Sequence, residues 1–408
     1  MSTVNNGPQI VRSGLVLDLD AGYMRSYSPN VHPNPTNIFA WSGTGNNNCT
    51  LSGDISVSRQ YGSIPLKMVM TGTDPYTGTY NVSTWNLAPA ANGQTWTLSF
   101  YAKASETVTG NCFIFGANSS GNYIEAPSTS FTVTSSWQRF TFTTTFANAS
   151  TAFIQIRFGG SSGQVGKTIW WDGVQVERAS AATTFNPYYF GNTVWKDVSE
   201  NNRTATLTNG PLFNTSNNGS IVFDGSTQFS TFTPTPTILQ GNPNLTVIGF
   251  YKRTGNFSSK GFWGIGGSNA GGVGQGICNW NYSNTNEITI DSWSESTFTT
   301  GQTYPLNTWI GVAWRKIAGP TTRANCIISI FNGTNITHYT STALTVLRAE
   351  SATNLNINSI GGITLGSISV DTGYCSPVNI ASHCIYNRIL TDAEIMQNFQ
   401  ATKTRFGL

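Results

Sequence analysis

Charge is scarce in this sequence. Of 408 residues, Asp, Glu, Lys and Arg make up 10%, against about 25% in an ordinary soluble domain. The net charge is only +3, and no Lys/Arg block or basic stripe occurs, which argues against nucleic acid as a partner. Long apolar runs are missing too. The longest, such as Asn244 to Tyr251, are strand-sized, so no membrane insertion is expected. The opening MSTVNNGPQIVRSG has no apolar core segment and is not expected to act as a signal peptide. Histidine is limited to His32, His338 and His383, and the six cysteines (Cys49, Cys112, Cys278, Cys326, Cys375, Cys384) contain no C-x-x-C, so a zinc-type cluster is not expected. Free, mostly buried thiols suit a protein that first meets a reducing cytosol, the alternative being a Cys375–Cys384 disulfide. No heptad or collagen-like tract is present to enforce an oligomer.

What is abundant is Asn, Ser, Thr and Gly, with aromatic residues at 12%. Neutral hydroxyls and amides must therefore solvate the surface, while the aromatics supply core material that disordered chains lack. β-branched residues fit pleated sheets and Asn or Gly fit tight turns, so the expectation is an all-β chain of many short strands.

Organisation follows from the apolar runs. In Gly14 to Asp20, Leu15, Leu17 and Leu19 alternate with Val16, Asp18 and Asp20, which reads as a half-buried strand. SPNVHPNPTN, with three prolines in ten residues, reads as a linker. Strand-like runs then follow at Lys67 to Thr71, Trp96 to Lys103, Cys112 to Gly116, Phe131 to Val133, Trp137 to Phe146, Ala152 to Phe158 and Lys167 to Glu177, closed by a second linker-like stretch, ASAATTFNPYYFGN. A different block resumes from Thr193, with strands expected near Leu245 to Lys252, Gly261 to Ile265, Glu287 to Trp293, Trp309 to Lys316, Cys326 to Phe331 and Ile380 to Tyr386. One helix is convincing. Thr391 as N-cap and Glu394 three positions on form a capping box ahead of Ile395, Met396 and Phe399, and this helix is expected to pack on one end of a sandwich.

Several of these pieces carry a family likeness. GLVLDLDAG (Gly14 to Gly22), VWKDVSENNRTATLTNGPLF (Val194 to Phe213), SIVFDGSTQF (Ser220 to Phe229) and CIYNRILTDAEIMQNFQATKTRFG (Cys384 to Gly407) together resemble concanavalin A-like/laminin G-like proteins found among phage structural genes. The block between the first two resembles a carbohydrate-binding-module-like jelly roll (family 4/9-like), through NIFAWSG, TWTLSFYAKAS, SSWQRFTFTTT and TIWWDGVQVERASAATTFNPYY. The resemblance implies two β-sandwich/jelly-roll domains, the second discontinuous: residues 1–30 and 190–408 form the laminin G-like host, and residues 35–185 the insert. A domain with neighbouring ends can interrupt a host loop without disturbing its core.

For chemistry, Glu287, Asp291 and Glu295 are the nearest approach to a hydrolase constellation. They stand four residues apart, which in a strand means about 13 Å, whereas retaining glycosidases need carboxyl groups about 5 to 5.5 Å apart. No G-x-S-x-G occurs, and His383 within a strand is expected to be structural, so the chain is not expected to be an enzyme. Sugar binding needs exposed aromatic faces beside amides. The candidates are Tyr76, Tyr80, Trp85 and Tyr123 in the insert and Trp280, Tyr282 and Trp293 in the host, with core packing as the alternative for each. Trp96, Trp137, Trp170 and Trp171, embedded in strands, are expected to fill cores. Asp172 reads either as a buried hydrogen-bonded acid or as a ligand of structural calcium, grouped with Trp170, Val174 and Val176 by parity. Asp18, Asp20, Asp197 and Asp224 match acidic positions of the resembled families, which often hold calcium; hydrogen bonding at turns is the other reading. No cofactor is otherwise expected.

The resulting expectation is a bacteriophage virion structural protein on the particle surface, as tail or neck fibre or head decoration, adhering to host surface glycans. Its partners would be capsid, neck or tail subunits and further copies of itself, a trimer being common for fibres. The alternatives are a purely structural capsid cement and a cell-wall glycan hydrolase.

Overall fold

A computed structural model describes residues 9–31, 47–58, 60, 64–78, 86–187, 193–201, 203–232, 243–255, 260–265, 276–280, 287–291, 297–319, 321–342, 346–348, 358–360, 363–365, 369–371 and 375–408. The chain is all-β, built of β-sandwiches with one short C-terminal α-helix. It divides into two compact units: Met1–Tyr27 with Thr193–Leu408, and Ser28–Asn192.

In the discontinuous unit, one sheet runs in the order Leu212–Asn214, Ser220–Asp224, Pro377–Tyr386, Leu245–Arg253, Ile310–Lys316, Cys326–Phe331, Ile336–Tyr339. The first strand, Leu15–Asp20, pairs antiparallel with the last long one, Leu15 facing Tyr386 and Asp20 facing Ser382. Ser220–Asp224 takes the remainder of the same edge, from Ile380 to Pro377. Opposite lies a sheet of Val194–Lys196, Thr204–Thr208, Phe229–Phe232, Asn358–Ile360, Lys260–Ile265, Gly276–Trp280, Glu287–Asp291 and Thr297–Thr303. Leu17, Leu19, Val247, Ile380, Trp263 and Trp314 fill the space between, the two indoles lying 5.4 Å apart.

The strand Leu15–Asp20 is not half-buried as its alternation suggests: Val16, Leu17, Asp18 and Leu19 are all buried. A second apolar cluster covers the outer side of this sheet, where Ile248, Phe250, Ala313, Phe331, Ala381, Cys384 and Tyr386 meet Ile395 and Phe399 of the helix Asp392–Lys403. The helix therefore lies on a sheet face, not on one end of the sandwich. Covering both faces explains why Leu245–Arg253 and Ile310–Lys316 read as nearly unbroken apolar runs. Thr391 and Glu394 make the expected capping box, and Glu394 also holds Arg388 bidentately at 2.9 and 2.6 Å.

The second unit pairs a five-stranded sheet (Gln138–Thr145, Thr95–Ala104, Thr168–Glu177, Leu66–Met70, Cys49–Gly53) with a six-stranded one. The latter runs Tyr76–Gly78, Phe153–Gly160, Val108–Ala117, Tyr123–Glu125, with Ala88–Pro89 beside Phe153–Gly160 and Ser128–Val133 beside Val108–Ala117. Trp96, Leu98, Phe100, Trp171, Cys112, Ile114, Ile154, Ile156 and Phe158 form its core.

The sequence stretches that read as linkers are only partly so. Val31 N donates to Val176 O, and Asn30 accepts from Val176 N (3.0 Å) while donating to Val174 O (3.2 Å). On the exit side, the buried carboxylate of Glu177 accepts from Thr183 N (3.0 Å), Thr183 Oγ1 (2.5 Å) and Gln175 Nε2 (2.7 Å). Entry and exit segments are thus both bonded to the end of one strand, Thr168–Glu177. The host is closed in the same way: Lys196 N donates to Ser26 O, Val198 N to Asp18 O, and Ser26 Oγ to Lys196 O. Each unit has its own ends tied together, which is what lets one interrupt the other.

Candidate functional site

The open face of the six-stranded sheet carries the best site. In Val108–Ala117, Val108, Cys112 and Ile114 enter the core, so the period of two sends Asn111, Phe113 and Phe115 to the other face. In Phe153–Gly160, Ile154, Ile156 and Phe158 are core and Gln155 and Arg157 point outward. The antiparallel register sets Gln155 beside Phe115, Arg157 beside Phe113 and, on the far side, Gly159 beside Tyr76.

These residues make a continuous surface. The Phe113 and Phe115 rings are parallel within 2° with centroids 5.4 Å apart, and Tyr123 lies 5.3 Å from Phe115. The Arg157 guanidinium carbon sits 4.1 Å from the Tyr76 ring centre and 4.9 Å from that of Phe115. Amides are fixed alongside: Gln155 Nε2 donates to Asn86 Oδ1 (3.0 Å) and Gly121 O (2.9 Å), and Asn111 Oδ1 accepts from Ser130 Oγ at 2.8 Å. Phe115 and Gln155 are only 5% and 7% exposed and prop the others from beneath, whereas Tyr123 is 61% exposed at the rim. Flat rings to stack on, with oriented amides to bond hydroxyls, are the requirements for holding a sugar ring.

Of the residues expected from sequence, Tyr76 and Tyr123 meet here through Arg157 and Phe115. Tyr80, Trp85, Tyr282 and Trp293 lie outside the described residues, and Trp280 is described only as backbone, pairing with Ile288 and Lys260. Phe113, Phe115, Gln155 and Arg157 were missed. The alternation in NCFIFGA and FIQIRFGG carried the signal, since both strands present large side chains on each face.

The strand tryptophans divide. Trp96 and Trp171 are fully buried. Trp137 and Trp170 instead lie half-buried on the outer face of the five-stranded sheet, 6.0 and 5.6 Å from Lys103 Nζ, and their indole N–H groups donate to Ser58 O and Asp54 Oδ2 at 2.8 and 2.9 Å. A register shift between Asp172 and Gln175, turned by Gly173 at φ +55°, puts Val174 and Val176 in the core while Trp170 and Asp172 stay outside it. Asp172 therefore does not share their face. Its two oxygens accept from Gln60 N (3.0 Å) and Gly173 N (2.8 Å).

The other acids are also occupied with hydrogen bonds. Asp197 accepts from the backbone N–H groups of Asp18, Ser199 and Arg203, Asp224 from those of Ser226, Thr227 and Gln228, and Asp20 from Gly22 N and Arg405. Among the described residues no group of three or more His, Cys, Asp or Glu is placed to hold a metal ion. Cys384 is a thiol whose Sγ lies 3.4 Å from Asp18 Oδ1, so it makes no disulfide with Cys375.

Two further constellations in the discontinuous unit invite comparison. A cavity of about 740 Å³ between the helix and the sheet is lined by Asp18, Asp20, Arg12, Arg405 and Cys384, but its charges are paired internally, Arg405 to Asp20 at 2.6 Å and Arg12 to Asp18 at 3.5 Å. Burial, reinforced by neighbouring Asp20, pushes the Asp18 carboxyl up to about 6. Separately, Ser329 Oγ lies 2.9 Å from His338 Nδ1, and His338 Nε2 lies 3.6 Å from Asp392, an arrangement of nucleophile type. Ser329 is fully buried, however, and Arg315 bonds Ser329, His338 and Asp392 at 3.2, 3.2 and 2.6 Å. The cluster fastens the helix to the sheet.

No protein-family model matches the chain, and no curated protein matches it. Among solved structures it is similar to a family 4 carbohydrate-binding module (CBM4), at 20% identity over 33% of this chain and 93% of that one, with a TM-score of 0.25. It is also similar to the enzymatically active domain of bacteriophage CBA120 tailspike protein 4, at 17% identity over 37% of this chain and 22% of that one, TM-score 0.28. Trypanosoma rangeli sialidase in complex with sialic acid is similar at 11% identity over 88% of this chain and 63% of that one, TM-score 0.39.

Proposed function

We propose that the unit Ser28–Asn192 is a glycan-binding module that uses the open face of its six-stranded sheet. The observation that carries the reading is the parallel pair Phe113 and Phe115, with Tyr123 tilted against Phe115, beside Arg157 and the fixed amides of Gln155 and Asn86. Binding without bond cleavage is the activity proposed: Glu287, the one acidic residue of the run EITIDSWSE whose side chain is described, accepts from Gly301 N at 3.2 Å. Affinity electrophoresis through gels containing xylan, β-glucan, alginate or polygalacturonate tests this. Retardation by at least one polysaccharide is expected, weakened about tenfold in Phe113→Ala with thermal unfolding unchanged. Retardation indifferent to Phe113, or release of reducing ends from the polysaccharide, would refute the reading.

The sequence likeness to phage structural proteins supports a further part of the proposal, that the chain is displayed on a bacteriophage particle as a fibre or decoration component. Several copies per particle would turn weak sugar affinities into firm adhesion. Antibody raised to the chain should then label intact particles, and label confined to lysate free of particles would contradict it.

A further inference from the structure

We infer that the glycan bound at this face carries carboxylate groups, and that Arg157 is the residue that recognises them; this rests on the glycan-binding reading above. Arg157 arises from the middle of Phe153–Gly160, between the strand that bears Tyr76 and the strand that bears Phe115. Its guanidinium lies over both rings, at 4.1 and 4.9 Å. A cation–ring contact of this kind spends no N–H donor on a hydrogen-bond acceptor. Among the described residues, the Arg157 donors have no hydrogen-bond or ion-pair partner.

The neighbouring carboxylate is committed elsewhere. Glu125, on the next strand but one, accepts from Ala147 N, Asn148 N and Thr151 Oγ1 at 3.0, 3.4 and 2.5 Å. Three of the other half-buried arginines, unlike Arg178 and Arg203, are committed to partners. Arg388 is held by Glu394, Arg405 by Asp20, and Arg139 by Ser99 Oγ and Thr183 O. In a chain with few charges, Arg157 is a cation held rigid on an aromatic floor with its fork open. A planar fork of this kind matches a carboxylate bidentately. Because the rings already fix the side chain, little rotamer entropy remains to be lost on binding.

The test is a binding series on the full chain with alginate, polygalacturonate and polysialic acid, each paired with its carboxyl-reduced form, together with neutral xylan and β-glucan. At least one acidic polymer should bind about tenfold or more tightly than its reduced counterpart. That preference should fall as salt rises, vanish in Arg157→Gln, and survive in part in Arg157→Lys, which keeps the charge and loses the fork. Thermal unfolding of each variant separates lost recognition from lost folding. Equal binding of acidic and reduced polymers, or binding of the neutral polymers alone, overturns the role of Arg157 while leaving a sugar-binding face if Phe113→Ala still weakens it. Binding of none overturns both.

Discussion

Two buried ionisable side chains in the discontinuous unit pull its stability in opposite directions with pH. Burial drives His383 down to about 3, where it stays neutral and bonded to Tyr251 at 2.9 Å. Unfolding lets it take up a proton, so its contribution is present above its usual value near 6.5 and is lost as pH falls toward 3. Asp18 is the reverse: raised to about 6, it binds a proton more tightly when folded, so the fold loses stability as pH rises from about 4 to 6. Between pH 4 and 6 the two slopes oppose, each approaching about 1.4 kcal/mol per pH unit. Asp18→Asn should therefore leave the His383 slope exposed, so that urea unfolding at pH 4 falls well below that at pH 6. A profile parallel to wild type would show that Asp18 carries no such linkage.

At the scale of elements, the C-terminal helix depends on a cap and on a glycine. Thr391 accepts from Glu394 N in the capping box, so Thr391→Ala should cost about 1 kcal/mol. Gly311 lies beneath Phe399: a Cβ there would come within 2.6 Å of the ring, so Gly311→Ala should lift the helix at a cost of about 1 to 3 kcal/mol. Chemical denaturation of both variants checks this, and two unchanged midpoints would mean the helix adds nothing to the sheet.

The same elements show what the sequence makes readable. Strands such as Cys326–Phe331 and the helix with its box are legible because one short stretch contains both the periodicity and the stop signals. The two-sided burial of Leu15–Asp20 is not, because the covering helix comes from the other end of the chain. Nor is the face of Asp172, since a single register shift reverses the parity that the alternation implies. The site was half legible: Tyr76 and Tyr123 stand in turn-rich text, while Phe113, Phe115 and Arg157 sit within strands, where an outward side chain looks like an inward one until the register is known.

At the scale of the whole molecule, function is assigned to one of two sandwiches whose ends are separately tied. Asn30 and Thr183 close the unit Ser28–Asn192 on Thr168–Glu177, and Ser26 and Lys196 close its host. Hydrogen exchange on the full chain, with and without the polysaccharide it binds best, tests the assignment most directly. Slowed exchange is expected in Tyr76–Gly78 and in the stretches around Phe113, Phe115, Gln155 and Arg157, with the rates of Leu245–Arg253 and Ile310–Lys316 unchanged. Protection confined to the discontinuous unit, or to the Trp137 and Trp170 face of the five-stranded sheet, would contradict the account.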